Sequence, residues 1–435
     1  MNTPTDLHDF SSEVQRRFLR YVTVHTTSDR HSDATPSTEQ QWDLARILEA
    51  ELREIGVESV EVTEYGYVIG RIPASPGVTA PTIALLAHMD TAPDSSGAGV
   101  SARVWQHYDG GTIEVGNGIR LAPEEYPDLL DFVGETIITT DGTTLLGADD
   151  KAGIAEIMTA VAYLMHASDR VHPAIEVIFT PDEEIGRGVD KLPLDRVHAR
   201  FAYTLDGGKE GSIEAECFNA FRVVVSIEGY VIHPGSARGK MANAVSIAGR
   251  FLSMIPQSES PEATDGRFGF YCPVEISGDY GHAEIELIVR DFELDEAKRR
   301  VSYIERLAET VRNAYPRANV SVSTSRQYLN MRDGIERYPF MLDLLKRAIT
   351  ESGVTPLLKP IRGGTDGARL TEMGLPTPNI FAGGLNFHGP AEWIPVRSMA
   401  KATETIVRLM ELWSEEVRAD VELPKLTVTP ESSGG

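Results

Sequence analysis

The chain has 435 residues, of which 41% are hydrophobic and 24% are charged, and it carries a formal net charge of −24 at pH 7. This length predicts two domains, the ordinary composition argues against wholesale disorder, and the acidity argues against nucleic acid or an anionic membrane as a partner. The only cysteines, Cys217 and Cys272, lack CxxC spacing, and no stretch approaches the ~18 apolar residues of a membrane span, so we expect a cytoplasmic protein without a disulfide framework.

The first half of the chain predicts strands that alternate with helices. Helices are expected at 7–22 and 42–55, the second preceded by a capping box of Ser37 and Gln40 and ended by Gly56. The predicted strands are a hairpin at 58–63 and 67–72, and buried runs at 82–87, 174–179 and 201–205. This alternation predicts an α/β fold, in which a mostly parallel sheet has helices on both faces.

Two adjacent carboxylates, Asp149 and Asp150, lie in the middle of this region. They follow a short apolar run and Gly147, and apolar residues recur at helical spacing after them, so we predict a strand, a tight turn and a helix that begins just after the acids. One Asp at a helix N-terminus commonly caps the helix. Two of them raise the question of which cation they bind.

The second half contains a different pattern. Residues 221–324 predict the order strand, helix, strand, strand, helix, strand, which is typical of a ferredoxin-like α+β module inserted into a larger domain. The α/β pattern resumes after residue 338. We therefore predict a discontinuous larger domain of residues 1–217 and 331–420, an inserted domain of residues 218–330 and a loose C-terminal tail of residues 421–435.

Acid and histidine motifs follow several of the predicted strands. They are His88-Met89-Asp90, Asp149, Glu183-Glu184, Asp206 and Asn386-Phe387-His388-Gly389. In an open parallel sheet, ligands bind at the carboxyl ends of the strands, so these side chains are expected to lie together. Histidines and carboxylates without cysteine favour zinc, manganese or cobalt as the bound ion.

The number of candidate ligands favours two ions over one. The candidates are His88, Asp149, Glu184, Asp206 and His388, with Asp149 as the bridge. Each of two divalent ions then has three protein ligands and room for a shared water, and a bridging hydroxide neutralises the remaining positive charge. Asp90 is placed to accept the second ring N–H of His88, which leaves Glu183 to act as general base and acid.

Each motif alone also has a structural interpretation. His88 is typical of a hydrogen-bonded core histidine, and Glu183-Glu184 of an exposed turn or helix cap. In the inserted module, His233 lies in a turn, where histidines are usually solvated, and Arg290 with Asp291 suits a surface ion pair. The loop 362–367 suits either an anion site or a tight turn in which Asp366 caps a helix. For the metal ligands taken together, a purely structural interpretation would require five sites to reach one sheet edge by accident.

The sequence resembles the peptidase T (aminotripeptidase) branch of the co-catalytic dinuclear zinc exopeptidases, a family that also contains carboxypeptidase G and desuccinylases. The resemblance covers nearly the whole chain. It is carried by the residues at 88–91, 139–142, 146–153, 179–184, 203–208, 233–235, 361–367 and 379–381, together with His388.

This resemblance implies the same ligand set, two zinc ions per subunit, and Glu183 as the base. It also implies that the inserted module is the lid and dimerisation domain of a homodimer. His233 matches a lid histidine that reaches the reacting carbonyl, and Arg290 matches a residue that holds the carboxylate of the peptide. Asn243 and Arg362 match further substrate-binding residues.

The predicted function is that of a cytoplasmic dinuclear zinc aminopeptidase, which releases the N-terminal residue from tripeptides by attack of a metal-bound hydroxide on the first peptide bond. One alternative is a dipeptidase or an N-acyl amino acid deacylase of the same family. An alternative of another class is a catalytically silent protein that binds metal or peptide. The presence of Glu183, which only turnover requires, argues against the silent protein.

Overall fold

The computed structural model describes residues 9–167, 169–418 and 420–426. These residues form two compact units. The first contains the described residues up to Ala215, Asp333–Lys359 and the described residues from Thr365 onward, and the second contains Glu216–Arg332 and Pro360–Gly364. The catalytic and lid roles that the sequence assigns to two domains stay predictions. No helix in the described ranges is long and apolar enough to cross a membrane.

Helices and strands are numbered here along the chain. The helices are α1 (Ser11–Tyr21), α2 (Gln41–Ile55), α3 (Ala148–His166), α4 (Ala244–Leu252), α5 (Leu294–Ala314), α6 (Arg332–Ile335), α7 (Pro339–Glu351), α8 (Asp366–Glu372) and α9 (Val396–Glu416). The strands are β1 (Ser59–Val62), β2 (Val68–Ile72), β3 (Ile83–His88), β4 (Arg103–Trp105), β5 (Ile113–Gly116), β6 (Ile119–Leu121), β7 (Ile137–Thr139), β8 (Ile175–Thr180), β9 (Phe201–Gly207), β10 (Ser212–Glu214), β11 (Asn219–Glu228), β12 (Phe270–Gly278), β13 (His282–Asp291), β14 (Asn319–Tyr328), β15 (Leu357–Leu358), β16 (Asn379–Phe381) and β17 (Trp393–Pro395).

The first unit is built on an eight-stranded sheet with the order β1-β2-β8-β3-β9-β16-β10-β15. Its centre, β8-β3-β9-β16, is parallel. Leu85 belongs to a core cluster that contains residues of α1, α2, α3, α7 and α9, and its neighbour Leu86 belongs to a second cluster that contains a residue of α8. Because successive side chains of a strand point to opposite faces, helices cover both faces of the sheet. The predicted α/β class is confirmed.

The second unit is built on a four-stranded antiparallel sheet with the order β12-β13-β11-β14. Helices α4 and α5 pack against it through a core that includes Ile247, Leu287 and Ile304. The chain order β11-α4-β12-β13-α5-β14 is the predicted ferredoxin-like order.

The strand predicted directly before Asp149 is wrong. β7 ends at Thr139, and residues 140–147 form bends and irregular backbone, in which Gly147 has the left-handed φ of 80°. The apolar residues Leu145 and Leu146 are buried, but the N–H of Leu146 donates to the side chain of Glu392 instead of to a neighbouring strand. Helix α3 does follow, as predicted.

The predicted capping box before α2 is also wrong. No side chain caps α2 at Gln40. The backbone N–H and the hydroxyl of Ser37 instead donate to the carboxylate of Asp182, which also accepts from the Gln41 amide. In a capping box the N–H of Ser37 would donate to the side chain of Gln40, and the carboxylate of Asp182 after β8 takes that N–H instead. The predicted end of α2 is correct, since Gly56 adopts a left-handed conformation there.

Two predicted segments extend beyond the described residues. Of the helix predicted at 7–22, the structure shows α1 from Ser11 to Tyr21, and residues 7 and 8 lie outside the described ranges. Of the predicted tail, residues 421–426 are described, and Val421 and Leu426 pack against the core. Residues 427–435 lie outside the described ranges.

Helix α3 packs closely against β9 and carries a buried acid. At Gly153 a Cβ atom would lie 2.2 Å from the carbonyl oxygen of Leu205, so only glycine fits. Glu156 is fully buried, and within the described residues neither of its carboxylate oxygens has a hydrogen-bond partner. Burial raises the pKa of Glu156 well above its ordinary value of 4.5. Folding therefore favours the neutral form of this side chain.

We expect Glu156→Gln to stabilise the protein at neutral pH. The stability that neutral Glu156 supplies is fully present below pH 4.5 and is lost as the pH rises through the raised pKa of the folded state. Gln cannot ionise, so the free energy of unfolding of the variant should exceed that of the wild type by about 1–3 kcal/mol near pH 7, and the gain should vanish below the ordinary pKa. Denaturant unfolding at two pH values measures this difference, and a gain that does not depend on pH would contradict the assignment.

Candidate metal centre

Separate segments of the first unit bring acid and histidine side chains to the carboxyl edge of the parallel strands. β3 ends at His88, Asp206 is the penultimate residue of β9, and Glu184 lies in the short turn after β8. His388 lies in the loop between β16 and β17, and Asp149 lies in the first turn of α3. Asp149 thus reaches the same edge from a helix N-terminus, although no strand lies directly before this helix in the chain.

The carboxylate of Asp149 lies between the two histidines. Its Oδ1 is 2.9 Å from Nε2 of His88, and its Oδ2 is 3.3 Å from Nε2 of His388. Nε2 of His388 is also 3.1 Å from Oε2 of Glu184, and Nε2 of His88 is 3.6 Å from Oδ1 of Asp206. The Nε2 atoms of both histidines therefore face carboxylate oxygens, and both of them face Asp149.

These residues fit divalent metal ions. Donor atoms of His88, Asp149 and Glu184 lie within 4.8 Å of one another, as do those of His88, Asp150 and Asp206. Oε1 of Glu184 is buried and has no hydrogen-bond partner in the described part of the chain. A buried carboxylate oxygen without a donor is costly unless a cation approaches it, and imidazole with carboxylate is a donor set that zinc accepts.

Asp150 has a different environment from Asp149. Its Oδ2 accepts the backbone N–H of His88 at 3.1 Å, and its Oδ1 accepts the backbone N–H of Gly153 at 3.2 Å. Both oxygens of this fully buried side chain therefore accept from backbone. This arrangement suits a residue that holds His88 and the start of α3 in place, and it leaves Asp149 as the carboxylate with oxygens directed at the histidines.

Carboxylates crowd the site, and their pKa values are shifted accordingly. Burial and the neighbouring Asp149 raise the pKa of Glu184 to about 8, and burial raises the pKa of Asp206 to about 6. Burial also acts on Asp149, but hydrogen bonds with His388 and His88 lower its pKa. Hydrogen bonds to Asp149 and Glu184 raise the pKa of His388 to about 11. In the metal-free protein Glu184 and His388 therefore hold protons near neutral pH, and a bound cation would displace them.

Asp90 contacts both the histidine and the glutamate pair. Its Oδ1 is 3.3 Å from Nδ1 of His88, which also lies 3.1 Å from the backbone oxygen of Asp90. The carboxylate of Asp90 accepts the backbone N–H groups of Glu183 and Glu184, at 3.0 and 3.2 Å. One buried side chain therefore orients the His88 ring and the turn that carries the two glutamates.

The turn after β8 is anchored on its other side by Asp182. Asp182 has a left-handed φ of 58° and binds Ser37 and Gln41 at the start of α2. Burial, with the nearby Asp206, raises the pKa of Glu183 well above its ordinary value. A carboxyl group that can hold a proton near neutral pH is suited to general acid and base chemistry.

The second unit contains His233 and Arg290. His233 is exposed, and its Nδ1 accepts the backbone N–H of Gly235. Arg290 is only 8% exposed, so the prediction that it forms a surface ion pair with Asp291 is wrong. Asp291 pairs with Arg300 at 3.0 Å, whereas the guanidinium of Arg290 donates to Oε1 of Gln327 and to backbone oxygens.

Asn243 and Arg362, also in the second unit, make structural contacts. Oδ1 of Asn243 accepts the backbone N–H of Ser246 and caps α4. Arg362 donates to the backbone oxygens of Gly266 and Phe268. Substrate-binding roles for His233, Arg290, Asn243 and Arg362 stay predictions. The prediction that Asp366 caps a helix after the loop 362–367 is wrong. Thr365 caps α8, and Asp366 accepts a hydrogen bond from the hydroxyl of Thr180.

The sequence of the chain matches a known peptidase family. Residues 139–412 match peptidase family M20/M25/M40. The chain belongs to this family. Two relatives named Peptidase T, from Geobacillus thermodenitrificans and Clostridium perfringens, are 47% and 46% identical to it, over 93% of this chain and 99% and 100% of their own lengths. The predicted resemblance and the predicted class of enzyme, a hydrolytic exopeptidase, are confirmed.

Solved structures show the same fold. The aminopeptidase PepT from Bacillus cereus has a TM-score of 0.71 at 25% identity, over 93% of this chain and 99% of that one. A tripeptidase from Staphylococcus aureus has a TM-score of 0.74 at 18% identity, over 94% of this chain and 100% of that one. The fold of this M20/M25/M40 member is therefore shared along nearly its whole length.

Sequence reasoning missed several buried polar residues around the site. Glu392 accepts backbone N–H groups near Asp149, and Lys151 donates to the backbone oxygen of Val24 at 2.7 Å. Burial lowers the pKa of Lys151 to about 7. Both residues look like ordinary surface charges in the sequence. Their positions offered the only signal, since Lys151 lies two residues after the candidate ligand Asp149 and Glu392 lies four residues after His388.

Proposed function

We propose that this member of the M20/M25/M40 family is a dinuclear metal aminopeptidase that releases the N-terminal residue from tripeptides. The observation that carries the proposal is the placement of Asp149, whose two oxygens face His88 and His388 separately. A carboxylate in that position is suited to bridge two ions. The relatives named Peptidase T and the crystal structure named as an aminopeptidase support the choice of substrate.

The ions would be held by five side chains. We assign His88 and Asp206 to one ion, Glu184 and His388 to the other, and Asp149 to both. Zinc is the proposed metal because the donor set contains imidazole and carboxylate and no thiolate. When bound, the ions polarise the peptide carbonyl and lower the pKa of a water molecule.

The residues of the chain then have separate tasks. Glu183 takes a proton from the attacking water and delivers it to the leaving amine, and its raised pKa supports this role. Asp90 keeps His88 and the Glu183 backbone in position. By family resemblance, we assign His233 to the developing oxyanion and Arg290, with Asn243 and Arg362, to substrate binding.

The environment of Arg290 supports a role in binding a carboxylate. Its guanidinium is nine-tenths buried, and no carboxylate in the described ranges lies within ion-pair distance of it. Its partners are neutral, namely Gln327, two backbone oxygens and the ring of Tyr328. A buried arginine without an acid is unusual, and its planar fork is suited to bind the C-terminal carboxylate of a peptide.

We also propose a cytoplasmic homodimer formed through the second unit. The proposal rests on the family resemblance, and the edge strand β12 supports it. β12 has a neighbour on one side only, and its residues Val274 and Ile276 are 49% and 51% exposed. An apolar, unpaired edge strand is a ready surface for a second copy of the chain.

Sedimentation equilibrium tests the proposed homodimer. A native mass equal to that of one chain would contradict it.

Comparison of four substrates tests the proposed function. We expect the wild type to cleave a tripeptide better than its C-terminal amide, a dipeptide or an N-acyl amino acid. Arg290→Ala should lower kcat/KM for the tripeptide by a factor that corresponds to about 2–4 kcal/mol of transition-state stabilisation, because the carboxylate of the peptide loses its partner. The loss for the amide should be much smaller.

Other outcomes of this comparison have definite meanings. Preference for the dipeptide or the N-acyl amino acid would assign the chain to the dipeptidases or deacylases. Binding of peptide without release of product would indicate a silent binding protein. An equal loss for the tripeptide and its amide would exclude Arg290 as the carboxylate site and leave Arg362 as the candidate.

Glu183→Gln should bind metal like the wild type while losing most turnover. The amide keeps the size of the side chain but cannot accept the proton, so we expect kcat to fall by about 10²-fold or more. Metal analysis of the purified variant is the control. Full activity at full metal content would remove Glu183 from the mechanism.

A further inference from the structure

Glu392 connects the two segments that carry Asp149 and His388. It lies four residues after His388 in the loop before β17 and is only 1% exposed. Its Oε2 accepts the backbone N–H groups of Leu146 and Gly147, at 2.7 and 2.9 Å, and its Oε1 accepts that of Asp149 at 3.2 Å. A single carboxylate therefore binds three donors on the segment that leads into α3.

The segment around Asp149 needs such an acceptor. The first N–H groups of a helix have no partner within the helix, and Gly147, at the N-cap of α3, has no side chain to bind them. Asp149 and Asp150 also have non-helical backbone angles, so regular helical hydrogen bonds do not hold them. Glu392 supplies from a distant part of the chain the cap that the local sequence lacks.

The loop that carries His388 is held at its base. Leu385 and Trp393 exchange two backbone hydrogen bonds, at 2.9 and 3.1 Å. Within the loop, the N–H of Glu392 donates to the oxygen of Gly389 at 3.1 Å, and the Asn386 amide donates to the oxygen of Ala391 at 3.2 Å. Among the described residues of this loop, Glu392 is the one whose side chain accepts hydrogen bonds from the backbone of the segment that leads to Asp149.

We propose that Glu392 is a positioning residue that sets the separation between the Asp149 carboxylate and the His388 imidazole, and so preorganises the site for metal. The inference rests on the proposed function, because it assumes that both side chains bind the ions. Removal of a buried acceptor would leave backbone donors unpaired and free the Asp149 segment to shift. Mutation of a residue that hydrogen-bonds a metal ligand typically weakens metal affinity by 10- to 100-fold.

A purely structural role for Glu392 would also involve three strong hydrogen bonds, so the test needs a matched control. Glu176 supplies one in the same unit. It is likewise 1% exposed, and its Oε2 accepts the backbone N–H groups of His198 and Ala199, both at 2.8 Å. It contacts none of the proposed metal ligands among the described residues.

The experiment compares Glu392→Gln, Glu392→Asp and Glu176→Gln with the wild type in full-length protein. Zinc affinity is measured by competition with a chromogenic chelator, and the unfolding midpoint is measured after metal removal. In Glu392→Gln an amide N–H faces a backbone donor, so we expect zinc binding to weaken about 10- to 100-fold. Glu392→Asp keeps the carboxyl group but withdraws both oxygens, and it should also weaken zinc binding. Glu176→Gln should lower the unfolding midpoint without changing zinc affinity.

The outcomes separate this inference from the proposed function. If the wild type itself does not bind zinc tightly, the proposed function fails. If the wild type binds zinc and both Glu392 variants bind it equally well, Glu392 is structural only and the inference is overturned. The same holds if Glu176→Gln loses as much affinity as Glu392→Gln, since the effect would then follow from lower stability.

Discussion

The structure of the first unit depends on holding several buried carboxylates beside two histidines at one edge of a sheet. In a buried site, like charges repel strongly and each ionised group loses its hydration. Part of the charge is balanced by imidazole, as the lowered pKa of Asp149 shows, and part by protons, as the raised pKa of Glu184 shows. Divalent ions would balance the rest, and the donors are arranged to receive them.

Three further carboxyl groups hydrogen-bond the backbone of the proposed ligands and of Glu183. Asp90 accepts the backbone N–H groups of Glu183 and Glu184, Asp150 accepts that of His88, and Glu392 accepts that of Asp149. Each accepts a backbone N–H with a buried carboxyl oxygen, and such a donor left unpaired would cost free energy. The acidic composition of the site therefore reflects two needs, to bind cations and to position the residues that bind them.

The sequence predicted the fold, and it predicted that acid and histidine residues lie together at one edge of the sheet, for identifiable reasons. Periodicity revealed β3, β8 and β9, and chemistry drew attention to His88, Asp206 and His388 at or beyond the ends of strands. It failed where a distant side chain replaced a local partner. The apolar residues before Asp149 look like a strand, but Leu146 and Gly147 donate to the side chain of Glu392. Ser37 and Gln40 look like a capping box, but the N–H of Ser37 donates to Asp182. Local patterns contain no information about such long-range acceptors.

The order of the proposed ligands along the chain has a consequence for biosynthesis. His88, Asp149, Glu184 and Asp206 all precede the second unit, whereas His388 and the Glu392 that supports it follow it. A nascent chain that has emerged through the second unit therefore holds most of the donors but neither of these two. Because domains fold as they leave the ribosome, the last ligand arrives only when nearly the whole chain has been made. Under the proposed assignment of His388, the metal site is complete only in a nearly full-length chain.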